Sequence, residues 1–373
     1  MTGQLSGAGA RIAHLSTVHQ SWDNRILNKE CRALAEAGFD VHLVISADAD
    51  RVTHGVQVHA LTPRGRAARL LGSQAEAWRA LDRIAPHLLH FHDPELIPLA
   101  LAYGRRHKIP VVYDAHEDLV KQIDTKPYLQ GRKGDAARRA ARRLIRMADR
   151  HCDAIVTVID EIAQTFSPVR DGRERPVAVV RNLPWKSDFT VVDPAATDPV
   201  AVYTGDISQE RGLTRMLDAV HHVEGARLVL AGRNLVGDAL PVGDPQVDYC
   251  GLVPPAELPG IIAQGRVGLV LLSRLPNYEH SLPTKVFEYM ASGLPFLASD
   301  FGYWRELFGG IDAGVFVDPD DPTAVGSALA ELLADPARCA ELGANGRRAV
   351  AERFSFEAEA TTLVGLVNRL LAA

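Results

Sequence analysis

Short apolar runs alternate with longer stretches of roughly 3.6-residue period along the chain, and that alternation predicts strands separated by helices. Residues 11–17 read as a first strand, 24–37 as a helix with Gly38 just past its end, and 41–47 as a second strand. An Arg-rich stretch, 64–81, holds a helix from Gln74; 87–92 and 110–115 read as further strands. Runs at 153–158 and 177–180 close this first set, and Pro184, Pro194 and Pro199 mark 183–199 as a linker. A second set follows with strands at 200–204, 227–231 and 267–272 and a helix from Leu213. Residues 314–322 read as strand and turn, and 323–334, 336–353 and 354–373 as helices. Strand, loop, helix, strand in repetition predicts the α/β class with doubly wound parallel sheets. A chain of 373 residues exceeds what one core usually serves, so the expectation is two such domains, 1–190 and 191–355, with a last helix at 356–373.

The most informative stretch is 280–300, HSLPTKVFEYMASGLPFLASD. Pro283 suits the first position of a helix, and Gly293 with Pro295 ends it. Val286, Phe287, Met290 and Ala291 recur at helical spacing as a buried face, and 294–298 reads as a buried strand. Lys285 and Glu288 stand three apart, so ammonium and carboxylate share one side beside the free N–H groups of the first turn. A helix N-terminus with one Lys suits a diphosphate, and a carboxylate one turn on can accept from two vicinal hydroxyls. The same residues also fit a capped amphipathic helix with a solvated ion pair worth about 0.2–0.5 kcal/mol.

Other polar groups gather where strands end. The strand 87–92 brings His90 and His92 to one face and is followed by Asp93; the strand 110–115 is followed by His116 and Glu117, with Asp114 near its end. Ligands bind open parallel sheets outside the carboxyl ends of strands. His92, Asp93, Asp114, His116 and Glu117 therefore read as a reacting cluster, a metal site or a structural network, with His90 a core residue. Asp23 reads as a helix N-cap or first-turn acid. The loop 18–23 contains no G-x-G-x-x-G, which argues against a dinucleotide enzyme.

Residues 283–300 resemble the donor-binding segment of the retaining glycosyltransferases of family 4, whose fold is called GT-B. In that family two Glu residues bracket seven others; Glu288 fills the second place and His280 the first. GDISQERG, 205–212, resembles the family's phosphate loop, with Arg211 before the second Gly and Asp206 where an Arg is usual. Ser16 to His19 stand where paired glycines are common. The resemblance implies two Rossmann-like domains facing across a cleft, with the last helix returning to the first. It implies donor contacts from Gly205, Arg211, His280, Ser281, Leu282, Pro283, Thr284, Lys285 and Glu288. His92, Arg211 and Lys285 take catalytic roles, and Asp23, Arg25, Asp93, His116 and Glu117 line the acceptor side. The implied reaction moves a hexosyl or N-acetylhexosaminyl group from a nucleoside diphosphate sugar to a hydroxyl of a saccharide, lipid-linked or natural-product acceptor. No metal and no cofactor beyond the donor substrate are implied. Two alternatives stand beside it: a GT-B epimerase or hydrolase, and a catalytically silent nucleotide-sugar-binding partner subunit.

Composition adds the surroundings. With 47% apolar and 23% charged residues the chain is globular. The net charge of −5 hides an asymmetry: 1–190 carry 28 Lys and Arg against 22 Asp and Glu, and 191–373 carry 13 against 24. A basic first half favours an anionic or membrane-associated acceptor. Within it, 132–150 predicts a helix with Arg138, Arg139, Arg142, Arg143, Arg146 and Arg150 on one side and Ala137, Ala140, Ala141, Leu144 and Ala148 on another. That helix packs on its own domain, or lies on anionic lipid at about 1 kcal/mol per basic residue. No nucleic-acid recognition module is present. Residues 1–10 lack the basic and apolar segments of a signal peptide, and no run approaches eighteen apolar residues. The expected place is a bacterial cytoplasm, with peripheral contact at the inner face of the membrane. Cys31, Cys152, Cys250 and Cys339, without a Cys-x-x-Cys pair, suit reduced thiols.

Overall fold

Apolar runs that are buried on both faces become the strands of two parallel sheets. The computed structural model describes residues 9–65, 68, 72–124, 131–170 and 172–373. The expectations for residues 1–8 and for the parts of the Arg-rich stretch at 66–67 and 69–71 lie outside the described residues. The chain divides into two compact units, Met1–Asn182 with Glu357–Ala373, and Leu183–Phe356.

The first unit holds β1 (Arg11–Gln20), β2 (Asp40–Ser46), β3 (Arg51–Thr53), β4 (Val56–Leu61), β5 (Leu88–Phe91), β6 (Val111–Ala115) and β7 (Ala154–Thr157). The short pair β8 (Val169–Arg170) and β9 (Arg173–Glu174) precedes β10 (Val177–Val179). Its sheet runs β10-β7-β6-β5-β1-β2-β4-β3, and within it only β3 is antiparallel to its neighbour among the described residues. The chain winds outward from β1 through β2 and β4, then returns to the other side of β1 at β5. The topological switch point therefore lies between β1 and β5, where a ligand crevice forms at the carboxyl edge. Leu15, Phe91 and Tyr113 pack one face of the sheet, with the Phe91 and Tyr113 rings 5.1 Å apart. β3 and β4 escape the sequence reading because their apolar positions alternate with Gln57 and His59 at a sheet edge instead of forming a run.

The first helix departs from expectation. Its opening turns, Ile26–Cys31, are π-helical, and α-helix follows only over Arg32–Glu36. Residues five apart share a side of a π turn. Arg25 and Glu30 are thereby both directed inward, where Nη2 meets Oε1 at 2.8 Å.

The Arg-rich helix forms over Gly131–His151 and packs inward through Gly134, Ala141 and Ala148. Ala140, expected on that buried side, is exposed, because the inward line is set by the seven-residue spacing of its three smallest buried residues. The final helix, Phe356–Ala372, joins the first unit at residue 357. Glu359 accepts a hydrogen bond from the Arg181 N–H at 2.9 Å. No helix among the described residues is long and apolar enough to cross a membrane.

The second unit holds β11 (Val200–Thr204), β12 (Arg227–Ala231), β13 (Val247–Tyr249), β14 (Val267–Val270), β15 (Phe296–Ser299) and β16 (Gly314–Val317). All pair in parallel in the order β13-β12-β11-β14-β15-β16. The switch point is between β11 and β14. Helix Thr284–Ser292 follows β14 and starts one residue later than the sequence suggests, because Pro283 serves as its N-cap. It buries Val286, Phe287, Met290 and Ala291 and ends at left-handed Gly293, φ +79°. Helix Pro336–Arg353 crosses that end closely: a Cβ at Gly343 would lie 1.8 Å from the Gly293 carbonyl oxygen. Gly343→Ala must push the helices apart and is expected to cost about 1–3 kcal/mol in urea unfolding; an unchanged midpoint would show that the crossing is loose.

Candidate functional site

In the second unit the chemistry collects at the β11/β14 switch point. β11 ends at Thr204, and Gly205 takes φ +123°, which side chains rarely adopt. Space there is equally restrictive, since a Cβ on Gly205 would sit 2.6 Å from Lys285 Cε and 3.0 Å from its Nζ. The ammonium lies 5.3 Å from the centroid of the Tyr203 ring, whose hydroxyl donates to the Asp206 carbonyl at 2.8 Å. Gly212, φ +90°, is N-cap of helix Leu213–His221 and packs on the Leu271 backbone just beyond β14. The phosphate-type loop is thus held between the two strands that flank the switch point.

The sequence-expected donor residues fall here in two groups. Gly205, Arg211, Lys285 and Glu288 are brought together. Arg211 lies 5.9 Å from the Tyr278 ring centroid. Lys285 is influenced by Arg211, Glu288 and Asp206, and burial first, then Arg211, pull its ammonium down to about 8. His280, Ser281, Leu282, Pro283 and Thr284 form the connection from the short helix Pro276–Glu279 into helix Thr284–Ser292. His280 is exposed. The Ser281 carbonyl accepts from the Trp304 indole at 2.8 Å, which fixes the approach to Pro283.

One donor-side feature escaped the sequence reading. Asp206, standing where the resemblance expects Arg, is gripped by Arg233 through two bonds of 3.3 and 2.9 Å. Arg233 follows β12 on the neighbouring loop, and Gly232 packs against the Gly205 backbone. The cation displaced from position 206 therefore stands opposite it, a pairing between distant residues that no local motif signals.

The lowered ammonium gives a testable consequence. A nucleotide sugar keeps both phosphates ionised near neutrality, and an anion binds the charged form of Lys285. Donor affinity is expected to be full below about pH 8 and to fall as the pH rises through it, approaching tenfold per unit. Calorimetric titration between pH 6.5 and 9.5 checks this; a flat profile would separate Lys285 from the phosphates.

In the first unit the expected acceptor residues meet around the β1/β5 switch point, but not as a reactive surface. Asp93 is buried, and Oδ2 accepts from the Thr17 and Val18 N–H groups and the Ser16 hydroxyl. It shapes the loop where the family commonly places glycines. Asp23 accepts from the Arg25 and Ile26 N–H groups at 2.9 and 2.8 Å and so caps the π turn. Arg25 is buried, donating to both Asp114 oxygens at 3.2 and 3.0 Å and to the Val180 carbonyl at 2.7 Å. Its position makes it a structural cation.

His92, the sequence's catalytic candidate on this side, has no exposed side-chain surface. Its Nε2 lies 3.0 Å from His14 Nδ1, and its Nδ1 lies 3.2 Å from Asp114 and 3.0 Å from His116. His116 is the ring that reaches solvent, 18% exposed, with the His19 ring tilted against it at 4.8 Å between centroids. Glu117, next to it, is exposed. Burial holds His14, His90 and His92 well below the ordinary imidazole range, so all three are neutral at pH 7. Burial would push Asp114 up, but Arg25 and then His116 hold it well below the usual carboxylate range. Glu30 is pushed well above that range by burial despite Arg25. His14 and Glu30 were not singled out from sequence. His14 shows as a strand neighbour only through its register with His90, and Glu30 only through the π turn.

Comparison with known proteins places these features in a family. Residues 24–183 match the sequence model of Glycosyltransferase Family 4, and 198–335 that of Glycosyl transferases group 1. A D-inositol 3-phosphate glycosyltransferase of Thermobispora bispora is 34% identical over 124 residues, 33% of this chain and 28% of that protein. The chain thus aligns with well under half the length of that relative. Among solved structures, sucrose-phosphate synthase from Thermosynechococcus elongatus superposes with a TM-score of 0.73 at 18% identity, covering 97% of this chain and 99% of that one. HepE of Anabaena, solved with UDP-glucose, gives 0.70 at 15% identity over 96% and 99%. With one family match on each unit and this shared fold, the chain belongs to the family 4-type glycosyltransferases of GT-B architecture.

Proposed function

We propose that this protein is a retaining glycosyltransferase that moves a hexosyl or N-acetylhexosaminyl group from a nucleoside diphosphate sugar to an acceptor hydroxyl. The observation that carries the reading is Lys285 seated against Gly205 at the β11/β14 switch point, with Arg211 and Glu288 beside it. Glu288 accepts from the ribose hydroxyls. Arg211, Lys285 and the N–H groups opening helix Thr284–Ser292 meet the diphosphate. As the acceptor oxygen bonds to the anomeric carbon, the carbon–phosphate-oxygen bond breaks and negative charge grows on the leaving phosphate. These donors stabilise that charge, and the departing phosphate oxygen takes the acceptor's proton. His280 contacts the donor sugar. The reading assigns no metal or cofactor to this step.

On the acceptor side, Asp23, Asp93, His116 and Glu117 border the crevice, and His92 positions His116 from beneath. The acceptor is a saccharide, a lipid-linked saccharide or a small natural product. An anionic or membrane-borne acceptor is favoured by the exposed Arg face of helix Gly131–His151. A groove of about 720 Å³ opens there between Arg143, Arg146, Arg150 and Val169. Because His151 leads into β7, this groove lies toward the amino edge of the sheet and serves attachment instead of chemistry. The bound form would lie at the inner face of the membrane.

The test is transfer of label from nucleotide sugars to an acceptor panel, with the product's anomeric configuration read by NMR. Retention, with nucleoside diphosphate released only when acceptor is present, is expected. Release or isomerisation without acceptor would replace the reading with a hydrolase or epimerase, and donor binding without turnover would favour a silent partner subunit. Glu288→Ala is expected to weaken donor binding by about 1.5–3 kcal/mol, since its bonds to hydroxyls are charge-assisted. Unchanged donor affinity would remove Glu288 from the site.

A further inference from the structure

The first unit also contains a wholly buried constellation, separate from the donor site. Glu30, His90, His92 and Asp114 each offer one nitrogen or oxygen, and the four atoms lie within 4.8 Å of one another. Glu30, His90 and Asp114 have no exposed surface, and His92 has 2%. Buried polar atoms are normally hydrogen-bonded. Here both ring nitrogens of His90, Oε2 of Glu30 and Nε2 of His14 have no hydrogen-bond partner among the described residues, while Oε1 of Glu30 is met by Arg25. Such a concentration of unpartnered donors and acceptors in one dry place needs a physical reason.

We propose that Glu30, His90, His92 and Asp114 bind a divalent transition-metal ion of the zinc class. Two imidazoles with two carboxylates suit a borderline ion, whereas magnesium and calcium prefer oxygen-only sets. Zinc bonds of about 2.0–2.2 Å place tetrahedral donor atoms about 3.4 Å apart. Two donor–donor separations bracket that value: His92 Nδ1 to Asp114 Oδ2 is 3.2 Å, and His90 Nε2 to Glu30 Oε2 is 3.9 Å.

The outer layer is in place as well. Arg25 grips Asp114 and meets Oε1 of Glu30, leaving Oε2 turned toward His90. With Nδ1 of His92 on the ion, its Nε2–H donates to His14 Nδ1, the second bond that orients a ligating imidazole. His116 stands between the cluster and solvent, 3.0 Å from His92 Nδ1 and partly exposed, and provides the way in. The metal reading of the sequence pointed to Asp93, His116 and Glu117 as further ligands. The structure turns Asp93 to the Ser16–Val18 loop and brings Glu30 and His90 into place. The ion would tie Ile26–Cys31 to β5 and β6, so binding couples to the fold of this unit and is independent of the donor site.

The experiment uses the full chain without a histidine tag, stripped with chelator, offered equimolar Zn²⁺ or Co²⁺ and passed through gel filtration. About one retained ion per chain, a visible cobalt absorption band and a raised Tm are expected. His90→Asn with Glu30→Gln should abolish retention, while His59→Ala should not. The last variant is needed because His42 and His59 form a second pair, 2.9 Å between Nδ1 and Nε2. Retention lost in His59→Ala but kept in the double variant would assign binding to that pair and overturn the proposal. So would retention below a tenth of an ion by folded wild type. If the double variant fails to fold, X-ray absorption on zinc-loaded wild type decides. A shell of two imidazoles plus oxygens supports the site, and a sulfur-containing or imidazole-free shell contradicts it.

Discussion

Lys285→Ala is expected to lower kcat/KM for the nucleotide sugar about 10²–10³-fold, a loss of about 2.7–4 kcal/mol of transition-state stabilisation. The size follows from where the ammonium stands. It lies against a glycine backbone and an aromatic ring, partly withdrawn from water, so its charge is screened less than at an open surface. Arg211 is close enough to depress it, which means the site holds two like charges together. On the proposed reading a diphosphate would relieve that repulsion, and the relief would grow as charge accumulates on the leaving group. The main loss should therefore appear in kcat. Lys285→Arg should rescue little, because a branched guanidinium does not fit where a Cβ on Gly205 would already touch the side chain. Steady-state kinetics with a Tm control checks both variants; a loss confined to KM would make Lys285 a ground-state contact only.

Arg25→Ala is expected to destabilise the protein by about 3–5 kcal/mol, the cost of leaving a buried ionised carboxylate without its partner. Asp114 is wholly buried, and Arg25 is its chief stabilising charge. The same guanidinium meets Glu30 and closes the Val180 carbonyl. Its removal thus orphans groups on β6, the π turn and the end of β10 at once. Arg25→Lys should recover part of the loss, since an ammonium cannot span both Asp114 oxygens. Urea unfolding followed by circular dichroism measures the difference. A loss under about 1 kcal/mol would mean that water or protonation replaces the pair.

The parts of this account that could be read before the structure are those whose cause is local. The run ending at Thr204, the helix closed by Gly293 and the buried strand after Pro295 each follow from residues within one turn of where they act. So does the grouping of Lys285 with Glu288. The π turn did not follow, because its cause is the burial of Arg25 and Glu30 against β6, a strand about 85 residues away. His92 looked reactive because it ends a strand at a switch point; the sequence could not show that His14, Asp114 and His116 enclose it. The Asp206–Arg233 pair was hidden for the same reason, since its members lie on different loops. Distant pairing decides polar sites, whereas periodicity decides the strands and helices that carry them.

The measurement that bears most directly on the central claim is thermal stabilisation by UDP, GDP, dTDP and ADP sugars, in wild type and in Glu288→Ala. A ligand at about 100 times its dissociation constant adds about 2.7 kcal/mol to the folded state, a shift of a few degrees for units of this size. The account predicts stabilisation by one base class in wild type and its loss in Glu288→Ala. No stabilisation by any of the four at millimolar concentration would contradict a donor site at the β11/β14 switch point.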